Sequence, residues 1–154
     1  MDHDIVLKDL PGITIASIRD KISAYGDVGM LYRELFPILG KAFVRFAGPP
    51  LSIYHDPEYK ASNVDVEAGV PVQGKPKEKG RIKVRELEPV KAACIVHKGP
   101  FDSIGPVYES LMKWIEANGY RISGPAREVY IKSMGQTKNP ADYVTEIQIP
   151  VEKA

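Results

Sequence analysis

The chain has 154 residues, 44% of them hydrophobic and 27% charged, a size and balance that suit one globular domain with a core of its own. With 21 basic against 20 acidic residues the formal charge is +1, which supplies no whole-chain field for nucleic acid or an anionic membrane. Cys94 is the single cysteine, so no intrachain disulfide forms and a reducing, cytoplasmic setting is expected.

Met1-Asp2-His3-Asp4 is acidic and lacks the apolar run of a signal peptide, and no stretch approaches the ~18–20 apolar residues of a membrane span. Val6 to Gly12 leads into Ile13–Ile18, whose β-branched alternation predicts a strand. Asp27 is placed to cap a helix beginning near Val28, with Leu31, Leu35, Ile38, Leu39, Ala42 and Phe43 as its apolar positions. Pro37 inside that run is expected to kink or split it. Leu51–Tyr54 reads as a strand after Gly48-Pro49-Pro50, residues 56–62 as a loop, and Asn63–Val72 as a second, alternating strand. Helix packing on one sheet face should bury Ile13, Ile15, Ile53, Val64 and Val66.

A polar, Gly/Pro-punctuated connector covers residues 73–81, and its Lys75, Lys77 and Lys79 read as solvated. The order then repeats. Val84–Leu87 leads into a strand at Val90–Val96; Asp102 or Ser103 caps a helix running to about Asn118, with Ile104, Val107, Tyr108, Leu111 and Ile115 as its stripe and Trp114 in or beside the core. Gly119 stands where a left-handed helix terminus favours glycine. Arg127–Ile131 and Tyr143–Val151 complete the set as strands.

Three pairs of phrases match in order. Gly29, Tyr32 and Leu35 recur 76 residues on as Gly105, Tyr108 and Leu111; Gly48-Pro49 and Tyr54 recur at the same offset as Gly124-Pro125 and Tyr130; Glu67 to Val72 recurs 79 residues on as Glu146 to Val151. They imply an internal duplication within a single α+β domain, with one βαββ repeat at about 5–72 and a second at about 82–152. Such a body has pseudo-twofold symmetry, antiparallel sheets around a central cleft and helices on its outer face.

Strand parity nominates a site. Val144, Glu146 and Gln148 share one face of the last strand, Glu67 takes the matching place in the first repeat, and both glutamates are expected to point away from the helices. The same reasoning sets Tyr54 and Tyr130 opposite Ile53 and Val129, so that two tyrosines and two glutamates face one shared cleft. Aromatic rings around a carboxylate suit a lipophilic cation, the rings through apolar area and cation–π attraction, the carboxylate as counter-charge. Phe101 and His55 are candidates for the pocket border. His3, His55 and His97 lack metal-ligand spacing, and no metal or cofactor is expected. His97 reads as a surface or edge histidine, Cys94 as a core residue, and Gly135–Lys138 lacks the glycine spacing of a phosphate loop.

Gly99-Pro100-Phe101, Gly124-Pro125 and Tyr143–Val151 resemble the GyrI-like effector-binding domain, over about Val6 to Val151. That family includes drug-sensing domains of bacterial transcription regulators and also stand-alone domains, and its fold is a tandem pair of βαββ units around a pocket. The resemblance implies that Glu146 sits at the pocket floor to meet cationic ligands. The similarity starts almost at Met1, which leaves no room ahead of it for a DNA-binding segment and resembles the stand-alone branch. Three functions follow as expectations. The first is a module that binds or senses amphipathic, cationic small molecules through Glu146, Tyr130 and Tyr54, with Glu67, Phe101 and His55 nearby. The second is a hydrolase of reactive electrophiles with Glu146 as general base and Tyr130 as aromatic partner. The third is a modulator acting on a protein partner. Direct contact with nucleic acid or membrane is not expected.

Overall fold

Runs of β-branched residues and two amphipathic stretches set the architecture. The computed structural model describes residues 4–57, 60–133 and 137–154; His3, and Gly135 and Gln136 of the stretch considered for a phosphate loop, lie outside them. The described elements are β1 (Val6–Leu10), β2 (Ile13–Ile22), α1 (Gly29–Lys41), β3 (Leu51–Tyr54), β4 (Val64–Pro71), β5 (Lys83–Leu87), β6 (Val90–Lys98), α2 (Gly105–Ala117), β7 (Tyr120–Ile122), β8 (Ala126–Lys132) and β9 (Val144–Lys153). The class is α+β, as expected, and the recorded strand pairings are antiparallel.

The chain forms two units. One is Gly12–Glu88. In it β4 lies between β3 and β2, and β5 adds to the far side of β2 with Ile13 opposite Leu87 and Ser17 opposite Lys83. Leu31, Leu35 and Leu39 of α1 close one face of this sheet over Ala16, Ile18, Ile22, Val64, Val66, Ala68 and Val70. Arg81 ties the end of the connector to this unit through Asp20 (2.5 Å) and Glu34 (2.7 Å).

The other unit joins Pro89–Ala154 to the N-terminal segment through Pro11. Here β9 lies between β6 and β8, β1 pairs with the outer side of β6, and β7 pairs with the end of β9. Val107, Leu111 and Ile115 of α2 cover Ala93, Ile95, Ile147, Ile149 and Val151. The lead-in strands are therefore exchanged relative to the sequence reading: residues 6–10 serve the later unit and 83–87 the earlier one. Only Pro11 and Gly12 separate β1 from β2, yet the two strands take different partners. Partner choice is non-local, and nothing in the short run of sequence encodes it.

Several local expectations are corrected. Pro37 neither splits nor ends α1. A proline in a helix interior costs about 3 kcal/mol, whereas burying Leu31, Leu35 and Leu39 returns about 1.5–3 kcal/mol each. Asp27 lies in a 3-10 turn (Tyr25–Val28), and α1 starts without a side-chain cap. Ser103 likewise lies in a turn (Phe101–Ser103), where its hydroxyl donates to the Pro100 carbonyl at 2.9 Å rather than to the helix. Gly119 does adopt the left-handed conformation, at φ +79°.

The face assignments change most. Ile15 stands opposite Pro71 and Ile53 opposite Glu67, so Ile13, Ile15 and Ile53 lie on the face away from α1. Tyr54 stands opposite Val66, on the helix face, where it packs on Tyr25 with ring centroids 5.4 Å apart. Tyr130 stands opposite Thr145, and Val129 opposite Glu146, so Tyr130 faces α2 and Glu146 does not. Both tyrosines thus lie on the face opposite the glutamates, because register, not hydrophobicity, decides which of two adjacent residues turns inward.

Leu35 and Leu111 are both fully buried. Leu35→Ala and Leu111→Ala should each cost about 2–5 kcal/mol, read as a lower urea midpoint at unchanged m-value.

Candidate functional site

The helix face of β8 carries an unusual side chain. Glu128 stands opposite Ile147, 8% exposed, under α2. Tyr108 of α2 donates its hydroxyl to Oε2 at 2.5 Å, and Tyr130, two residues along the same face, lies 3.4 Å from Oε1. Among the described residues no lysine, arginine or histidine pairs with this carboxyl. Burial pushes it above the usual carboxylate range, and the two tyrosine hydroxyls offset that only in part.

Aromatic rings complete the surroundings. Phe101 packs on Tyr130 edge to face at 5.7 Å and on Tyr143 at 5.3 Å. The turn that carries Phe101 is anchored on both sides. The Gly99 amide donates to the Tyr143 carbonyl at 2.8 Å, and His97 Nε2 lies 3.0 Å from the Pro100 carbonyl and 3.2 Å from Ser103 Oγ. His97 is only 5% exposed, so it is a buried strut rather than the surface or edge residue expected from the sequence. Thr145, fully buried opposite Tyr130, has a hydroxyl without a hydrogen-bond partner among the described residues. A buried hydroxyl left unpaired costs about 1–3 kcal/mol, which is tolerable where something else approaches it.

The expected site residues separate into distinct groups. Phe101 packs on Tyr130, whose hydroxyl lies 3.4 Å from Glu128. Tyr54 belongs to the core over α1. Glu146 lies on the face of β9 away from α2, bonded to Lys8 Nζ at 2.6 Å and to Gln148 Nε2 at 2.5 Å. Glu67 and His55 meet on the face of the other sheet away from α1, where Glu67 receives Ser17 Oγ (2.5 Å), His55 Nε2 (2.9 Å), Arg85 Nε (2.8 Å) and Arg85 Nη2 (2.6 Å). Burial alone would raise Glu67, but the bonds from His55, Arg85 and Ser17 outweigh it and hold the carboxyl well below its usual range. Cys94 is buried and its thiol is pushed up to about 12 by that burial, which makes it inert at neutral pH. No group of metal-ligating side chains occurs among the described residues, and no described helix is long and apolar enough to cross a membrane.

Glu128 was the residue sequence reasoning missed. Its signal was present: Glu128 and Tyr130 are two apart on one strand, and Tyr108 lies on the helix stripe. Setting Tyr130 on the wrong face hid it.

A model of the GyrI-like small molecule binding domain matches residues 3–152. The chain belongs to the GyrI-like family. The crystal structure of the EcmrR C-terminal domain superposes with a TM-score of 0.89 at 32% identity, with 100% of each chain covered. EcmrR in a DNA complex superposes at 0.88 with 32% identity, covering 99% of this chain and 58% of that one; the GyrI-like chain thus spans little more than half of the EcmrR chain. A hydrolase encoded by lin2189 from Listeria innocua, at TM-score 0.67, 14% identity and coverage of 97% and 92%, shares the fold. No curated protein matches the chain.

Glu128 and Glu67 should respond oppositely to pH. Glu128 binds its proton more tightly folded than unfolded, so the stability it lends is complete below about 4.5, the ordinary glutamate value, and drains away as pH rises through its raised value. Glu128→Gln should therefore raise the Tm at pH 7, and the gain should vanish near pH 4 in the same thermal scans. Glu67 is held low, so its contribution is present above about 4.5 and lost on acidification. Glu67→Gln leaves the Arg85 guanidinium half-paired and should cost about 3 kcal/mol in urea unfolding at pH 7.

Proposed function

We propose that this GyrI-like domain binds an amphipathic organic cation at Glu128, with Phe101, Tyr108, Tyr130 and Tyr143 as the aromatic surround. The observation that carries the reading is the carboxyl itself: 8% exposed, bonded to two tyrosine hydroxyls and paired with no cation among the described residues. Such a group is costly to keep ionised without a partner. A lipophilic cation supplies the missing charge, and the rings supply apolar contact and cation–π attraction for its body. The small-molecule binding of the family supports the general role.

Glu146 is less suited, since Lys8 and Gln148 already occupy its oxygens. A cation arriving there would have to displace an ammonium 2.6 Å away. At Glu128 a cation displaces only a proton. Tyr108 sits on α2, so a shift of the carboxylate toward a ligand alters a bond that holds the helix. That is the physical link through which an occupied site can be reported to a partner. The DNA complex of EcmrR makes a DNA-binding partner, on the same chain or another, the natural recipient.

The test is a fluorescence titration with a rhodamine-type lipophilic cation. Glu128→Gln should weaken binding by roughly 10–100-fold, about 1.4–2.8 kcal/mol. Glu146→Gln should bind within about twofold of the parent. Affinity in the parent should rise with pH through the raised Glu128 value, because the cation competes with the proton, and this dependence should disappear in Glu128→Gln. Equal affinity of Glu128→Gln and parent at all pH values removes Glu128 from the site.

A further inference from the structure

The Gly12–Glu88 unit holds a second site of opposite polarity. A cleft of about 290 Å³ opens on the face of its sheet away from α1, lined by Ser17, Arg19, His55, Glu67, Lys83 and Arg85. Register explains the grouping. Ser17 and Arg19 alternate on β2, Lys83 and Arg85 alternate on β5, Ser17 stands opposite Lys83, and Arg19 stands opposite Glu67. Neighbouring strands are about 4.8 Å apart and alternate residues about 6.6 Å, so three cationic side chains rise from one small patch.

Each arginine is braced by a carboxylate. Arg19 holds Asp65 through Nε (2.9 Å) and Nη2 (2.8 Å); Arg85 holds Glu67 through Nε (2.8 Å) and Nη2 (2.6 Å). Both forks therefore use the same edge, and the Nη1 group of each is left without a protein acceptor among the described residues. Lys83 has no acidic partner among them either. Glu67 cannot take more: its two oxygens already receive four bonds. The carboxylates fix the guanidinium planes in advance, which lowers the ordering cost of a third partner. The lining carries Arg19, Lys83 and Arg85 against Glu67, with Asp65 behind Arg19, so an excess positive charge remains.

We propose that this cleft binds a small oxyanion, a phosphate or a carboxylate group, gripped by Lys83 and the outward Nη1 groups of Arg19 and Arg85. None of these residues takes part in the Glu128 site, so either site can fail without the other. Charge-assisted bonds from a lysine and two arginines are the usual means of holding such a group, and a half-exposed cleft limits the affinity to the millimolar range.

The experiment is an amide-shift titration of the intact chain with inorganic phosphate, and in parallel with acetate, at constant ionic strength. Phosphate should saturate shifts at Ser17, Lys83 and Arg85 with a Kd of about 1–10 mM. Lys83→Ala, at an exposed position, should weaken it at least about fivefold, and Lys77→Ala on the connector should leave it unchanged. Acetate binding at least as tightly as phosphate assigns the cleft to carboxylates; tighter phosphate assigns it to phosphoryl groups. Shifts that fail to saturate by about 50 mM for both anions, or an equal Kd in Lys83→Ala, overturn the proposal.

Discussion

The two-residue period of the β-strand governs what the charged groups on the strands of this protein experience. In β9, Glu146 and Ile147 are neighbours in sequence, yet one meets Lys8 and the other lies under α2. In β4, Glu67 meets Arg85 while Val66 and Ala68 pack against the leucines of α1. Pairing register then carries the assignment from strand to strand: Glu146 fixes the face of Val129, and Ile147 fixes that of Glu128. A slip of one residue would exchange the two environments along the whole strand.

Three buried glutamates show how much those environments differ. Glu67 and Glu146 lie on the faces that the helices leave open, within reach of long basic side chains from β1, β2 and β5. Glu128 lies under a helix, where a lysine or arginine would have to bury its own charge to arrive, and among the described residues two phenol hydroxyls are all that reach it. A bond from a neutral hydroxyl returns about 1 kcal/mol, well short of the cost of burying an unpaired charge. The same fold thus supplies two acids whose charge is spent on structure and one whose charge is unspent. An unspent buried charge is a cost in the empty protein and an asset when a cation arrives, which is why the ligand reading settles on Glu128 rather than on the better-bonded pair.

Much of the fold was legible. Six of the strands in their order, both helices, the leucine stripe of α1, the stripe of α2 and the glycine at its end follow from local periodicity and backbone chemistry, whereas β1 and β5 read only as lead-ins and β7 was not foreseen. The face of Glu67 and of Glu146 followed too, because valines and isoleucines alternate with them without interruption. Parity failed in β3 and β8, where both neighbours are apolar or aromatic and the pattern offers no choice. Ile53 and Tyr54, or Val129 and Tyr130, can each claim the core, and only the partner strand decides. The pairing of β1 with β6 and of β5 with β2 was illegible for a related reason: hydrogen-bond partners of a short strand are set by the sheet it joins, not by its own residues. Glu128 was lost with them, since it shares the face of the misplaced Tyr130 and was not weighed as a site residue.

Matching positions in the two units show how little separates structure from chemistry here. Tyr32 in α1 and Tyr108 in α2 stand 76 residues apart, as do Ser52 and Glu128, and as do Tyr54 and Tyr130. Tyr32 donates to the Leu51 carbonyl at 2.5 Å and lies 2.9 Å from Ser52 Oγ; Tyr108 donates to Glu128 at 2.5 Å. In each unit a helix tyrosine is bolted to the strand beneath it. With serine at the strand position the bolt is neutral and Ser52 is wholly buried at no electrostatic cost. With glutamate in the same place the bolt becomes ionisable, its carboxyl is raised by burial, and the helix is tied to a group whose charge depends on what lies next to it. The helix of one unit is therefore held to its sheet by a neutral bond and the helix of the other by an ionisable one.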